Sequence, residues 1–421
     1  MTKKIFIGLS NVASQINDLK KGFNQLGYET FTAANHIDSP LIRNNTDIDV
    51  VFPEYSPPKF WFSGVRPKWL QKQLQEFSRS DPRKKILNRA LKECDTFFFM
   101  WKTFTDDLSD LPLLKSLNKK IIVMLVGDDI YWPEAGKQDF INHGLHPVRP
   151  YNVFVEQIAK SRIAILERRL RHLRMFEKYA DLIFTGPALA QLSLRPYYRA
   201  RHIISADAIT ENCAQSKDNP LVIYAPSNDE YKGTKFIEDA IARLKSEHLP
   251  FRIKVVKNLE YSKALQLYSE ADILIGEMFY PGGGKQQREA LAAGTVVITN
   301  HDLRYPTALP EDTPFIHANH KSMYEVLKNT ILDYQLRKNT APKGRPFIEK
   351  HNTEKIVCER ILKLLAHQSP EQPIIPTFLR LQYIPFNYDE IKTLNYWTHY
   401  VSDCHWYENH VKPGERARLI F

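Results

Sequence analysis

The chain has 421 residues, 43% of them hydrophobic and 25% charged, which excludes both a single small domain and a wholly disordered chain. The formal net charge of +10 is compatible with an anionic substrate, a membrane surface, nucleic acid or simply a basic solvated surface, and no nucleic-acid-binding motif accompanies it. The four cysteines form no CxxC pair, which argues against a zinc ribbon or a disulfide framework and fits a reducing cytosol.

Strand and helix patterns alternate through the first half of the chain. Ile5–Leu9 predicts a strand rather than a signal peptide, because the apolar run is short and a helical pattern follows at once. Further predicted elements are strands at Glu29–Ala33, Thr96–Trp101, Ile121–Val126 and Leu182–Thr185, a helix from Asp81-Pro82, and an arginine-rich helix from Arg162 to Tyr179. The proline-rich residues 53–63 predict a loop. No apolar run is long enough to span a bilayer, so we expect a cytoplasmic protein.

The alternation restarts at Leu221 after the polar stretch from Asn212 to Asn219, where we place a domain junction. The predicted strands of this half are Leu221–Tyr224, Arg252–Val256, Ile273–Ile275 and Val296–Thr299, with helices between them. Such alternation predicts parallel sheets whose ligands bind at the carboxyl ends of the strands. The sequence therefore predicts an α/β protein with two Rossmann-like, doubly wound domains, residues 1–211 and 212–365, facing each other across a cleft.

Residues 366–421 have a different character. Prolines at 370, 373 and 376 interrupt any periodicity, and eight tyrosine, tryptophan and phenylalanine residues follow between positions 383 and 407. We expect this C-terminal, aromatic-rich tail to pack back on the first domain through its aromatic faces. Binding of an acceptor molecule by the same side chains is the alternative.

A glycine run separates the predicted strand ending at Ile275 from the next helix. Gly282, Gly283 and Gly284 let backbone amides approach an anion closely, and the helix N-terminus adds unpaired N–H groups and partial positive charge. A diphosphate is the expected guest, with Lys285 beside it. Glu289 lies one turn into the helix, where its carboxylate can accept hydrogen bonds from the hydroxyls of a ribose. Taken alone, the glycine run is equally compatible with a flexible strand-to-helix turn.

A second group of polar residues follows the predicted strand Leu221–Tyr224, again at a carboxyl end. Lys232 can place an ammonium group against a departing diphosphate, Ser227 offers a hydroxyl, and Thr234 offers a helix cap. Without further context, Lys232 is equally compatible with an exposed loop lysine.

These two groups occur in an order and spacing that extend over roughly residues 218–365. The matching segments are Ala225-Pro226-Ser227 with Lys232-Gly233-Thr234, residues 264–273, and residues 284–297. Together they resemble the retaining glycosyltransferases of family 4, which have the GT-B fold. The first half matches more loosely, through residues 110–114, Gly127-Asp128-Asp129-Ile130 and residues 177–181.

The resemblance implies transfer of a sugar from a UDP or GDP sugar to a hydroxyl of a glycan, lipid-linked or protein acceptor, with retention and without a covalent intermediate, metal or other cofactor. It implies that Lys232 and the glycine amides stabilise the departing diphosphate, and Asp129 is the first-domain candidate for contacting the acceptor or the donor sugar. Glu289 corresponds to the ribose-binding member of the family's glutamate pair. The sugar-binding member falls at Pro281, and Glu277, four residues earlier, is the candidate to replace it.

Two departures from the family pattern keep a rival hypothesis open. Pro281 replaces a carboxylate, and Ser227 stands where the family has a phosphate-binding arginine. Both favour a non-catalytic nucleotide-sugar-binding subunit of the same fold, and an epimerase or a phosphorylase on this fold is a third alternative. The arginine-rich helix at residues 162–179 is either a solvated face or a peripheral contact with anionic lipid at the inner membrane face. No nucleic-acid partner is expected.

Overall fold

A computed structural model describes residues 3–35, 47–52, 82–126, 130, 141, 162–190, 192–226, 229–256, 259–302 and 312–374 of the chain. The predicted site residues Ser227 and Asp129 lie outside these residues, as do the predicted loop at 53–63 and the tail beyond Ile374.

The first sheet is parallel and wound in two directions from its centre. Its described strands are β1 (Lys4–Leu9), β2 (Glu29–Asn35), β3 (Val50–Phe52), β4 (Thr96–Met100), β5 (Lys120–Met124), β6 (Leu182–Thr185) and β7 (Tyr198–Arg199). They lie in the order β3-β2-β1-β4-β5-β6-β7, so the winding reverses between β1 and β4, the kind of position at which such sheets bind ligands. The helices of this part are α1 (Gln15–Gln25), α2 (Pro82–Glu93), α3 (Asp110–Ser116) and α4 (Arg162–Tyr179).

The second sheet repeats this plan with fewer strands. Its described strands are β8 (Leu221–Tyr224), β9 (Arg252–Val255), β10 (Ile273–Ile275), β11 (Val296–Thr299) and β12 (Ile316–His317), in the order β12-β11-β10-β8-β9. The helices among these strands are α5 (Asp229–Lys232), α6 (Thr234–Ser246), α7 (Tyr261–Glu270) and α8 (Lys285–Ala292). Four more follow: α9 (Met323–Leu332), α10 (Tyr334–Thr340), α11 (Gly344–His351) and α12 (Glu354–Leu365). The predicted architecture of two doubly wound, parallel-sheet α/β units is confirmed.

Each sheet buries side chains on both faces, which explains why its central strands are continuously apolar. In β4, Phe97 and Phe99 join one core layer with Phe6, whose ring centroid lies 5.6 Å and 6.1 Å from theirs. Phe98, between them, points to the opposite layer and packs with Ile7. Alternation along the strand thus supplies two hydrophobic cores from one run of phenylalanines.

Helix α12 returns the chain to the first sheet. Its buried residues Val357, Cys358 and Ile361 belong to the same core layer as Ile16 and Leu19 of α1. Residues up to 365 were predicted to belong to the second domain, whereas this last helix packs on the first.

The described start of the tail also contacts the first domain. Ile374 forms an isolated antiparallel bridge with Tyr197, with N–H···O distances of 3.1 and 2.7 Å. The aromatic residues beyond it lie outside the described residues, so packing of the whole tail stays a prediction. In the described part of the chain, no helix is both long and apolar enough to cross a bilayer.

Candidate functional site

The segments that follow β1 and β10 belong to different domains and meet in the structure. Lys285, the first residue of α8, donates from Nζ to the backbone oxygen of Ala13 at 2.8 Å and to Asp18 Oδ2 at 2.7 Å. The Asp18 side chain is 1% exposed and that of Lys285 is 11% exposed, so the ion pair is shielded from water. Ser205 Oγ donates to the second Asp18 oxygen at 3.3 Å. The N-terminus of α8 is thereby held against the first domain, and Lys285, predicted to bind donor, engages an interdomain carboxylate.

The glycine loop, residues 282–284, has the backbone shape that its sequence favours. Gly282 and Gly283 have φ angles of 113° and 63°, in the left-handed region where glycine is preferred. The amide of Gly282 donates to the oxygen of Asn300 at 2.9 Å, and that of Gly284 to Gln287 Oε1 at 2.8 Å. Those two amides are therefore engaged within the protein. The first amides of α8 have no intrahelical acceptor and remain suited to an anion.

Arg288 holds the loop from its carbonyl side. Its guanidinium donates to the backbone oxygens of Gly282 and Gly284 at 3.1 Å each, and also to that of Gly283. The residue is 4% exposed, and burial, followed by the nearby Arg199, lowers the pKa of its side chain to about 9. This role of Arg288 was not predicted, although an arginine on the apolar face of a short helix is a signal for a buried, hydrogen-bonded cation.

Lys232 and Glu277 form an ion pair beside the glycine loop. The Lys232 ammonium donates to Glu277 Oε1, and the two side chains are 12% and 18% exposed. Gly233, with φ of 75°, permits the close approach of the two loops, because a Cβ atom there would lie 3.0 Å from Met278 Cβ. The same Glu277 oxygen lies 3.6 Å from the position of a Cβ atom on Gly284. A lysine from the end of α5 and a carboxylate from the loop after β10 thus meet at the N-terminus of α8.

Glu289 is buried one turn further along α8. It is 4% exposed, and its Oε1 accepts a hydrogen bond from the Tyr261 hydroxyl at 2.8 Å. Burial raises the pKa of the neighbouring Tyr268, and the negative charge of Glu289 raises it further. The carboxylate therefore lies between α7 and α8, on the second-domain side of the cleft.

Cations also converge on the segment at residues 200–206, which connects the two domains. Burial lowers the pKa of His202 well below its ordinary value, and the charges of Arg288, Lys285, Arg199 and Lys232 lower it further. The charges of four side chains therefore act on His202 in this connecting segment. Lys285 and Lys232 are already paired with the carboxylates of Asp18 and Glu277, and the remaining positive charge favours an anion.

A large cavity lies at the carboxyl ends of β1, β4 and β5 in the first domain. Its volume is about 850 Å³. Loop residues after the three strands line one side, including Val12, Trp101 and Val126, and α4 lines the other through Arg168 and Arg171. We call it the first-domain cavity. Val12 in its lining precedes Ala13, whose backbone oxygen accepts from Lys285, so the cavity lies next to this interdomain contact.

The arginine-rich helix α4 is not a uniform solvated face. Arg174 is 1% exposed and donates to Glu177 Oε2 at 2.5 Å and to the backbone oxygen of Leu192 at 2.8 Å. Arg168 and Arg171 are exposed and line the first-domain cavity. Among the arginines whose side chains the structure describes, Arg174 thus forms a buried ion pair, whereas Arg168, Arg169 and Arg171 line the cavity. None of these contacts supports a membrane surface as the partner of the helix.

The second-domain residues predicted from the sequence converge on one edge of the second sheet. Lys232 follows β8, Glu277 and the glycine loop follow β10, and Glu289 lies in α8. Asp18 and His202 join this edge from outside the second sheet, and no local sequence signal indicated either. Groups of three or more histidine, cysteine, aspartate or glutamate side chains arranged to hold a metal ion do not occur among the described residues.

Comparison with known proteins identifies the fold. No family model and no curated protein sequence matches the chain. Solved structures do match: sucrose-phosphate synthase from Thermosynechococcus elongatus has a TM-score of 0.56 at 13% identity, covering 87% of this chain and 99% of that one. HepE from Anabaena, in complex with UDP and glucose, has a TM-score of 0.54 at 13% identity, and the match covers 87% of this chain and 100% of HepE. The catalytic domain of Arabidopsis thaliana starch synthase IV, bound to ADP and acarbose, has a TM-score of 0.52 at 13% identity, and the match covers 87% of this chain and 99% of that domain. The chain therefore has the GT-B fold.

Proposed function

We propose that the chain is a glycosyltransferase that moves a sugar from a nucleoside-diphosphate sugar to an acceptor hydroxyl in glycan or glycoconjugate synthesis in the cytoplasm. The observation that carries the proposal is the Lys232–Glu277 pair at the N-terminus of α8, beside the glycine loop. A cation and unpaired amides suit a diphosphate, and a carboxylate suits sugar hydroxyls. The UDP and ADP bound by HepE and starch synthase IV support a nucleoside diphosphate as the ligand of this fold.

The donor would lie along α8. Its diphosphate contacts the first amides of the helix and the ammonium of Lys232, while the nucleoside ribose donates its hydroxyls to the carboxylate of Glu289. When the diphosphate pairs with Lys232, Glu277 loses its present partner and becomes free to accept hydrogen bonds from the donor sugar. Glu277 then supplies the carboxylate that is missing at Pro281, which lies four residues later in the same loop.

In the transfer step the bond between the sugar C1 and the diphosphate oxygen breaks, and its electron pair leaves with the diphosphate. The acceptor oxygen bonds to C1 from the same face, so the configuration is retained, and its proton passes to the departing phosphate oxygen. Negative charge on that oxygen grows as the bond breaks. Lys232 therefore stabilises the transition state more than the bound donor.

The acceptor would enter the first-domain cavity. The exposed cations Arg168, Arg171 and Lys102 line it together with Trp101, whose ring offers a stacking face. These groups favour an acceptor that carries acidic groups on a glycan or glycoconjugate. Asp129, in the segment after β5, stays the proposed first-domain contact to the acceptor or the donor sugar.

A second candidate function is nucleotide-sugar binding without transfer. Two observations favour it: Pro281 lies where the resemblance places a carboxylate, and Lys232 is already neutralised by Glu277. The two functions share donor binding and differ in turnover.

Thermal unfolding with a panel of UDP, GDP and ADP sugars tests donor binding. A ligand at ten times its Kd stabilises the folded state by about 1.4 kcal/mol, so one sugar nucleotide should raise Tm measurably. Lys232→Ala should reduce that rise, whereas Lys245→Ala, which changes an exposed lysine at the end of α6, should leave it unchanged. If no member of the panel shifts Tm at millimolar concentration, the proposal is wrong.

A further inference from the structure

A small second cavity lies beside the segment that connects the domains. Its volume is about 280 Å³, just below the range of roughly 300–1,000 Å³ typical of pockets for drug-sized ligands. Its lining includes Arg199 at the end of β7, Arg201 of the connecting segment, Arg288 of α8, His351 at the end of α11, Asn352 and Glu371. We call it the crossover cavity. The described residues that line it do not include Lys232, Glu277 or Glu289.

The wall of the crossover cavity is strongly cationic. Burial lowers the pKa of Arg199 to about 10 and that of Arg288 to about 9, and each pKa is lowered further by neighbouring arginines. Both side chains stay protonated near neutral pH. Among the described lining residues the carboxylate is Glu371, and Arg360 already occupies both of its oxygens at 2.6 and 2.5 Å.

Two of these arginines have buried N–H groups without hydrogen-bond acceptors among the described residues. Arg199 Nη1 and Arg288 Nε are buried, and neither has a hydrogen-bond partner in the described part of the chain. Arg288 as a whole is 4% exposed. The charges of Glu371 and Glu277 favour the protonated forms of Arg199 and Arg288, respectively. Burying guanidinium N–H groups without acceptors is nevertheless unfavourable, and repulsion between the two arginines adds to that cost. A bound anion would satisfy the free N–H groups and remove the repulsion together.

We propose that the crossover cavity binds the phosphate group of a small molecule, with Arg199, Arg201 and Arg288 donating to its oxygens. The planar guanidinium matches phosphate oxygens in pairs, and the cavity has room for little more than a phosphorylated metabolite of a few carbons. This site does not depend on the proposed sugar transfer, because it uses none of the side chains assigned to the donor.

Arg288 connects the crossover cavity to the donor loop. The same guanidinium that would bind the phosphate donates to the backbone oxygens of residues 282–284. A bound phosphate therefore changes the charge next to the glycine loop. By linkage, phosphate in the cavity and nucleotide at α8 alter each other's affinity by the same factor.

Calorimetry on the full chain, in chloride buffer of constant ionic strength, tests the site with inorganic phosphate and glycerol 3-phosphate. We expect saturable binding by the wild type and at least a tenfold loss of affinity in the double variant Arg199→Gln/Arg201→Gln. Lys232→Ala, which alters the donor site, should retain the wild-type affinity. Equal affinity for both probes would identify recognition of the phosphate group alone, and tighter binding of glycerol 3-phosphate would identify an organic phosphate as the ligand.

Thermal unfolding in phosphate-free buffer supplies the folding control. Removing an unpaired buried charge should leave the Tm of Arg199→Gln at or above that of the wild type. If the double variant does not fold, Arg201→Gln, which changes a partly exposed side chain, should by itself weaken phosphate binding at least threefold. The proposal is overturned if phosphate does not saturate the wild type, if the arginine variants bind it as the wild type does, or if Lys232→Ala abolishes binding.

Discussion

At the scale of single residues, Glu289 offers the sharpest test of the donor site. Its carboxylate is 4% exposed and accepts a hydrogen bond from the Tyr261 hydroxyl at 2.8 Å. A carboxylate has capacity for further donors, and the two hydroxyls of a ribose are suitable ones. The hydrogen bond from Tyr261 then orients the carboxylate and leaves it able to accept the ribose hydroxyls.

Replacing Glu289 with alanine should weaken nucleoside-diphosphate binding by about 1.5–3 kcal/mol, or more than tenfold, because a charged acceptor of ribose hydroxyls is lost. Calorimetry with UDP, GDP and ADP measures the change. Tyr261→Phe removes the hydroxyl that orients the carboxylate and leaves the carboxylate itself, so it should have a smaller effect. Unchanged nucleotide affinity in Glu289→Ala would show that the ribose lies elsewhere.

The places of candidate site residues in the fold were predictable where they depend on a single loop or helix turn. The glycine loop, Lys232 and Glu289 follow from strand ends and helix starts that the sequence displays. Arg288 and Asp18 were not predictable in the same way, because their partners are the loop carbonyls and Lys285 of the other domain. Nor does the sequence show that Lys232, at the end of α5, and Glu277, in the loop after β10, form an ion pair.

At the scale of elements, burial decides which strands can be predicted. β4 and β5 are buried on both faces, so their continuous apolar runs were recognised within one or two residues of their bounds. β3, β7 and β12 contain two or three residues each and show no period that a sequence could reveal. Helix α12 is amphipathic, and an apolar stripe does not indicate which of two cores it will cover.

The packing of α12 on α1 can be tested at Gly22, where the two helices come close. A Cβ atom there would overlap the backbone oxygen of Glu354 and lie 2.5 Å from Cys358 Sγ. Gly22→Ala should therefore lower the free energy of unfolding by about 1–3 kcal/mol, although alanine favours an isolated helix by about 1 kcal/mol.

Urea-induced unfolding measures this change, and Gln25→Ala, at an exposed position of the same helix, serves as the matched control. The control should change stability by no more than about 0.5 kcal/mol. A Gly22→Ala protein as stable as the wild type would mean that α12 does not pack on α1 as described.

At the scale of the whole molecule, the Asp18–Lys285 pair joins the two domains at the cleft, with side chains that are 1% and 11% exposed. Asp18→Asn would leave the Lys285 ammonium 11% exposed and without its carboxylate. Breaking such a pair from one side should cost about 3 kcal/mol of unfolding free energy. Asp312→Asn, which removes an exposed partner of Lys350, should cost less than about 1 kcal/mol. Equal effects in the two variants, followed by urea unfolding, would contradict a shielded interdomain pair.

The two-domain plan was predictable because strand–helix alternation restarts at a visible junction, and the GT-B fold follows from the structure and its neighbours. The sequence could not show how the chain behaves after residue 350, where it crosses back to the first sheet, or which groups face each other across the cleft. Those features depend on contacts between residues more than 250 positions apart, such as Asp18 with Lys285 and α1 with α12.

Donor turnover by Lys232 variants tests the central claim, sugar transfer from a nucleoside diphosphate, most directly. A wild-type protein that binds a sugar nucleotide should hydrolyse it slowly or transfer its sugar, releasing the nucleoside diphosphate. Lys232→Ala should lower that rate about 10²-fold or more while weakening donor binding less, because the lysine acts mainly on the departing diphosphate. Lys232→Arg should restore only part of the rate, since a planar guanidinium replaces a compact ammonium. Release of nucleoside diphosphate at the wild-type rate by Lys232→Ala, or a donor that binds to the wild type and is never turned over, would contradict the account.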